Sequence, residues 1–169
     1  MLKSIIMEFL SKGKENEANF AKSLIISEGG ILHTVSKTDD IKKHIDVIWS
    51  KSNNDKLCTF DVKGARKNKR SDKNITYDTT WLELQNVNGK PGSLYGEQDY
   101  FAFELEHKWV IVRREELLQA LLDEIKDDTL YTINPQENFK KYQRKGRKDI
   151  IVRVPMSFIE KNSRKYISK

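Results

Sequence analysis

Two neighbouring stretches decide the fold, His44-Ile45-Asp46-Val47-Ile48-Trp49 and Thr59-Phe60-Asp61-Val62-Lys63-Gly64, with Asp61 fifteen positions after Asp46. Each is a short, strongly apolar run of the kind that forms a core strand, yet each carries charge. Cys58, Phe60 and Val62 alternate with Thr59, Asp61 and Lys63, so Asp61 and Lys63 project from one face of one strand. The turn Ser52-Asn53-Asn54-Asp55 joins the two runs, and one antiparallel register brings both Asp carboxylates within reach of a single cation. Acids set into core-like strands are costly to desolvate unless they pair or bind a cation. Paired Asp carboxylates supply the hard oxygen donors that Mg²⁺ prefers. A lysine on the same face is placed to orient a water or to offset charge developing on a phosphate. The expected chemistry is metal-dependent phosphodiester cleavage.

Working outward, Leu2, Ile5, Ile6, Phe9 and Leu10 fall at helical spacing and predict a short first helix stopped by Gly13. A second helix is expected from about Glu15 to Ser27, its core face made by Phe20, Ala21, Leu24 and Ile25 and its end set by Gly29-Gly30. Glu17 lies on the edge of that face. Ile31–Val35 predicts a strand and Thr38-Asp39-Asp40 a turn or helical lead-in. Trp81–Asn86 predicts a further strand with Trp81, Glu83 and Gln85 on one face, a third strand able to complete the acidic cluster. A strand pair follows at Tyr100–Leu105 and Trp109–Arg113, then a leucine-rich helix over Glu115–Lys126 and a late strand at Asp149–Val154. This order predicts one α/β or α+β domain over residues 1–169 built on a mixed sheet.

Composition narrows the function classes. Thirty-one Lys and Arg against 25 Asp and Glu give a net charge of +6, which favours a polyanionic partner. The single cysteine, Cys58, excludes an internal disulfide and a cysteine-based zinc site; its place in the apolar register predicts a structural thiol. Gly89, Gly92 and Gly96 match neither a Walker loop nor a dinucleotide fingerprint. The run Leu2–Leu10 is broken by Lys3, Ser4 and Glu8 and is too short to cross a bilayer, so no membrane association and a cytoplasmic setting are expected. Two basic runs, one with Arg66, Lys67, Lys69 and Arg70, the other with Lys140, Lys141, Arg144, Lys145, Arg147 and Lys148 around Tyr142, are candidate grips on a nucleic-acid backbone.

The order of these residues resembles the PD-(D/E)xK nuclease superfamily of restriction endonucleases, Holliday-junction resolvases and phage nucleases. In that pattern a helix acid is followed by an Asp opening a hairpin, an Asp/Glu-x-Lys strand and a later Gln or Glu. Glu17 matches the first, Asp46 the second, Asp61-Val62-Lys63 the third, and Gln85 or Glu83 the last; Ile45 stands where the name-giving proline would be. The resemblance implies a restriction-endonuclease-like core, a mixed β-sheet flanked by helices. It implies Mg²⁺ or Mn²⁺ ligated by Asp46, Asp61 and the Val62 carbonyl, with Glu17 ligating directly or through water. Lys63 would orient the attacking water, and Glu83 or Gln85 would position Lys63 or a water. The implied activity is endodeoxyribonucleolytic, with junction- or structure-selective cleavage as one form, by a homodimer in a bacterium or phage-infected cell. The leading helix or the leucine-rich one would supply the dimer interface. The alternative is a non-catalytic nucleic-acid-binding protein, or a phage interaction protein with a protein partner, on the same fold.

Overall fold

A computed structural model describes residues 2–67, 72–132 and 137–169. In chain order the elements are α1 (Leu2–Ser11), α2 (Glu15–Glu28), β1 (Ile31–His33), α3 (Lys37–Lys43), β2 (Val47–Ser50), β3 (Cys58–Lys63), β4 (Thr79–Gln85), β5 (Tyr100–Glu104) and β6 (Lys108–Arg113). They continue with α4 (Arg114–Glu124), β7 (Leu130–Tyr131), β8 (Lys141–Tyr142), β9 (Ile150–Pro155), α5 (Met156–Lys161) and β10 (Lys165–Ser168). The protein is thus a mixed α/β fold with two sheets. One has six strands in the order β1-β2-β3-β5-β6-β10, the other four in the order β4-β9-β8-β7.

The described residues gather into two compact units. The first comprises Met1–Gly64, Glu97–Ile111 and Arg164–Lys169, the second Ala65–Gly96 and Val112–Ser163. In the first unit β1, β2 and β3 form an antiparallel meander. β3 then runs parallel to β5, and β10 pairs antiparallel with β6. A parallel neighbour requires a long crossover, and here the chain between Lys63 and Tyr100 supplies it.

The core of the first unit follows from the alternation along its strands. Phe60 and Val62 point to the face covered by α1 and α2, where they join Ile5, Phe9, Phe20, Leu24 and Trp109. Phe20 meets Phe60 and Trp109 edge-on at ring-centroid distances of 5.2 and 5.4 Å, an arrangement that aromatic quadrupoles favour. α2 is closed by Gly29, whose φ of 67° is a left-handed conformation and whose N–H donates to the Ile25 carbonyl. α3 is opened by Ser36, whose hydroxyl accepts from the Asp39 amide, and closed by His44 at φ 58°.

In the second unit β4 pairs antiparallel with β9, and β8 lies on the other side of β9. Leu82, Val152 and Val154 are fully or almost fully buried from one face of this sheet. Trp81, Ile151, Arg153 and Tyr142 are half-buried on the other. The expected third strand is therefore present, but it does not lie beside the Asp46 and Asp61 strands: the second neighbour of β3 is β5. β4 instead finds its partner in β9, from far along the chain, a pairing set by tertiary packing that local pattern cannot select.

Candidate functional site

β2 and β3 pair with Val47 opposite Phe60, and the Asp46 amide donates to the Phe60 carbonyl at 2.8 Å. Extending that register by one residue sets Asp46, at the head of β2, against Asp61. Asp46 Oδ2 accepts the Val62 amide hydrogen at 2.8 Å, which fixes its carboxylate over β3. Asp61 is 3% exposed, and its Oδ1 lies 2.8 Å from Lys63 Nζ. Lys63 is also 5.8 Å from the centre of the Phe101 ring; Phe101 is fully buried and stands beside Asp61 in the β3–β5 register.

α2 brings Glu17 to the same place. Burial pushes its carboxyl above the ordinary range, and the charges of Asp46 and Asp40 add to this against Lys14. Asp46 is pushed up to about 6, by burial first and then by the charge of Asp61, against the Val62 hydrogen bond and the attraction of Lys63 and Lys14. Each of these carboxylates thus feels too little positive charge for its degree of burial. Lys14 forms an ion pair with Asp40, so its charge is largely matched there. Asp46, Asp61 and Glu17 set against Lys63 leave an excess of negative charge that a divalent cation would neutralise.

The donor chemistry fits Mg²⁺ or Mn²⁺ at Asp46 and Asp61. Both supply hard carboxylate oxygens, and Mg²⁺ is commonly held by one or two carboxylates while keeping several waters. The described residues hold no group of three or more His, Cys, Asp or Glu side chains arranged about one ion, so Glu17 stands as a charged neighbour of the Asp pair.

Glu83 and Gln85 are engaged within the second unit. Glu83 Oε1 accepts from the Ser93 amide at 3.4 Å, and Gln85 Nε2 donates to the Lys148 carbonyl at 2.5 Å. Of the basic residues, Arg66 pairs its backbone with Thr76, and Lys67 is exposed; Lys69 and Arg70 lie outside the described residues. Lys140 pairs with Asp127 and Lys141 with Asp128. Arg144 donates through Nε at 2.7 Å, and through Nη2, to the buried Asp149. Its guanidinium therefore anchors the β8–β9 hairpin. Lys145, Arg147 and Lys148 are exposed. Cys58 is half-buried, and burial pushes its thiol up, as suits a structural residue.

Three neighbours of the site were not expected from sequence: Lys14, Asp40 and Asn16. A Cβ on Gly64 would stand 2.5 Å from Asn16 Cγ, so the first turn of α2 and the end of β3 meet without space for another atom. The glycine directly after Asp61-Val62-Lys63 was the available signal for that close approach. No protein-family model, no curated protein and no solved structure matches this chain.

Proposed function

We propose that this protein is a metal-dependent endodeoxyribonuclease of the PD-(D/E)xK kind, with Mg²⁺ or Mn²⁺ held at Asp46 and Asp61. The restriction-endonuclease-like core would be the first unit, whose mixed sheet carries α1 and α2 on one face. The observation that carries the reading is the pair Asp46, at the head of β2, and Asp61 on β3, with Lys63 at 2.8 Å from Asp61. Two like charges side by side in a poorly solvated place are unfavourable for a purely structural strand pair. They are the charge distribution a divalent cation needs.

A bound divalent cation supplies Lewis acidity at the phosphate and neutralises charge that develops there. Asp46 and Asp61, with the Val62 carbonyl, would hold it. Lys63 keeps a positive charge beside the phosphate and orients the water that attacks phosphorus as a P–O bond breaks. Glu17, with its raised pKa, helps hold water at the edge of the site. Chemistry of this kind needs mainly placement and charge from the protein. A homodimer would set two such sites against two strands, and α1 leaves Leu2, Met7 and Leu10 exposed for such a contact. Among the described residues no helix is long and apolar enough to cross a membrane.

The test is cleavage of supercoiled plasmid, single-stranded DNA and a four-way junction in Mg²⁺ or Mn²⁺ by the wild type, Asp61→Asn and Lys63→Met. Wild-type cutting that stops in EDTA and in both variants is expected, and the preferred substrate names the subclass. A folded wild type that cuts none of them overturns the reading in favour of a non-catalytic binding or interaction protein.

A further inference from the structure

The second unit carries a feature that phosphodiester chemistry in the first does not use. β9 runs between β4 and β8, and its side chains alternate in burial: Val152 and Val154 are fully buried, Ile151 and Arg153 only half. On the half-buried face Trp81 of β4 and Tyr142 of β8 lean toward each other over β9, their ring centres 6.0 Å apart and their planes at 43°. Tyr131 of β7 stands beside Tyr142 on that face. An apolar face meant for a protein core would not carry an arginine in its central strand beside aromatic rings that remain partly open.

The turn of the β8–β9 hairpin begins directly after Tyr142, and the whole segment is strongly basic. From Lys140 to Lys148 it has Lys140, Lys141, Arg144, Lys145, Arg147 and Lys148 and no acid. Asp127, Asp128 and Asp149 match Lys140, Lys141 and Arg144. The Arg144–Asp149 anchor, with Asp149 fully buried, sets the conformation of the hairpin. Lys145, Arg147 and Lys148 are left exposed at the tip, around Gly146 at φ 74°. A pair of partly open rings beside a pinned cationic tip combines the two features that single-stranded nucleic acids require: rings for unstacked bases and cations for successive phosphates. A duplex would meet only the cations, because its bases are stacked within.

We propose that this face binds single-stranded nucleic acid, with a base stacked on Trp81 and Tyr142 and the backbone tracked by Lys145, Arg147 and Lys148. The site lies wholly in the second unit and takes the strand whether or not the first unit cuts it. The discrimination against duplex comes from the rings, and the salt dependence comes from the tip.

The experiment is fluorescence anisotropy of labelled oligo(dT) and of a labelled blunt duplex with the full chain in EDTA, so that cleavage plays no part. Oligo(dT) is expected to bind roughly tenfold or more tightly than duplex, and Tyr142→Ala to weaken it by about the same factor while Tyr142→Phe retains it. The tip variant Lys145→Glu/Arg147→Glu, which leaves the Lys148 stem on Gly89 in place, should weaken binding at least tenfold and flatten its salt dependence. If Tyr142→Ala fails to fold, the tip variant and the duplex comparison decide. Equal binding of duplex and single strand, no loss in the tip variant, or no binding by the wild type overturns the proposal. Because the assay contains no divalent cation, its failure leaves the nuclease reading standing, and loss of cleavage leaves this one standing.

Discussion

The Asp46 carboxylate accepts its hydrogen bond from the amide of Val62, the residue between Asp61 and Lys63, at 2.8 Å. That bond ties the end of α3 and the start of β2 to the centre of β3. It also holds Asp46 in the field of Asp61, which with burial raises its pKa to about 6.

A carboxyl whose pKa is higher folded than unfolded binds a proton that the unfolded chain has already released. Its contribution to stability is therefore full below the ordinary Asp value and is lost as pH rises through about 6. In EDTA, the urea midpoint of the wild type should fall across that window. Asp46→Asn keeps an oxygen for the Val62 amide and removes the titration. Its midpoint should change less between acid and neutral pH, with a gain of about 1–3 kcal/mol over wild type near pH 8. A wild-type midpoint that rises through the same window would contradict the geometry.

Lys63 supplies the nearest positive charge to Asp61, whose side chain is only 4% exposed against 29% for the lysine. Removing the lysine alone leaves an almost fully buried carboxylate without its ammonium. Lys63→Met should therefore destabilise the protein by about 3 kcal/mol, and adding Asp61→Asn in that background should restore most of it. Urea unfolding of the two single variants and the double variant measures the coupling. Additive effects would mean that the two residues do not act as a pair.

Much of this site is visible in the sequence because strand geometry has a period of two. Phe60 and Val62 alternating with Asp61 and Lys63 fixes which side chains share a face, and Gly13 and Gly29 mark the ends of the first two helices. The remainder depends on contacts between distant segments. The parallel pairing of β3 with β5 and the antiparallel pairing of β4 with β9 leave no local trace. β7 and β8 have two residues each, too few for any periodicity, and α5 and β10 are only six and four residues long. The passage between units falls at Gly64, Gly96, Ile111 and Ser163, the third within β6, so no linker composition announces it. Lys14 and Asp40 reach the site only because α2 and α3 converge there, which no spacing encodes.

Both Asp46 and Asp61 must be ionised to hold a divalent cation, so cation binding competes with the proton on Asp46. At pH 8 the thermal midpoint of the EDTA-treated protein should rise on adding Mn²⁺, by the equivalent of about 3 kcal/mol at a hundredfold excess over Kd. The rise should shrink steadily below about pH 6, where Asp46 is protonated. Asp61→Asn should abolish it at every pH. Differential scanning fluorimetry reads all three conditions, and an Mn²⁺ response retained in Asp61→Asn would place the cation elsewhere.

Gly64 separates β3 from the helix that carries Glu17. A side chain there would overlap the Asn16 carboxamide, 2.5 Å from its Cγ, whereas the backbone itself has no left-handed strain. The obstacle is purely steric and is the end of an exposed side chain, so relief comes either from a new Asn16 rotamer or from moving the first turn of α2. Gly64→Ala should cost about 1–3 kcal/mol of stability if the helix has to yield, and the position of Glu17 against Asp46 tells the two routes apart. If α2 moves, the Glu17 carboxyl should titrate closer to its ordinary value, because the charge of Asp46 contributes to its elevation. Asn16→Ala removes the obstructing carboxamide. The double variant Asn16→Ala/Gly64→Ala should therefore recover both the stability and the raised Glu17 pKa, read from the side-chain carboxyl resonance in a pH titration by NMR. Recovery of stability without recovery of the pKa would show that Gly64 spaces the helix but does not set the field at Glu17.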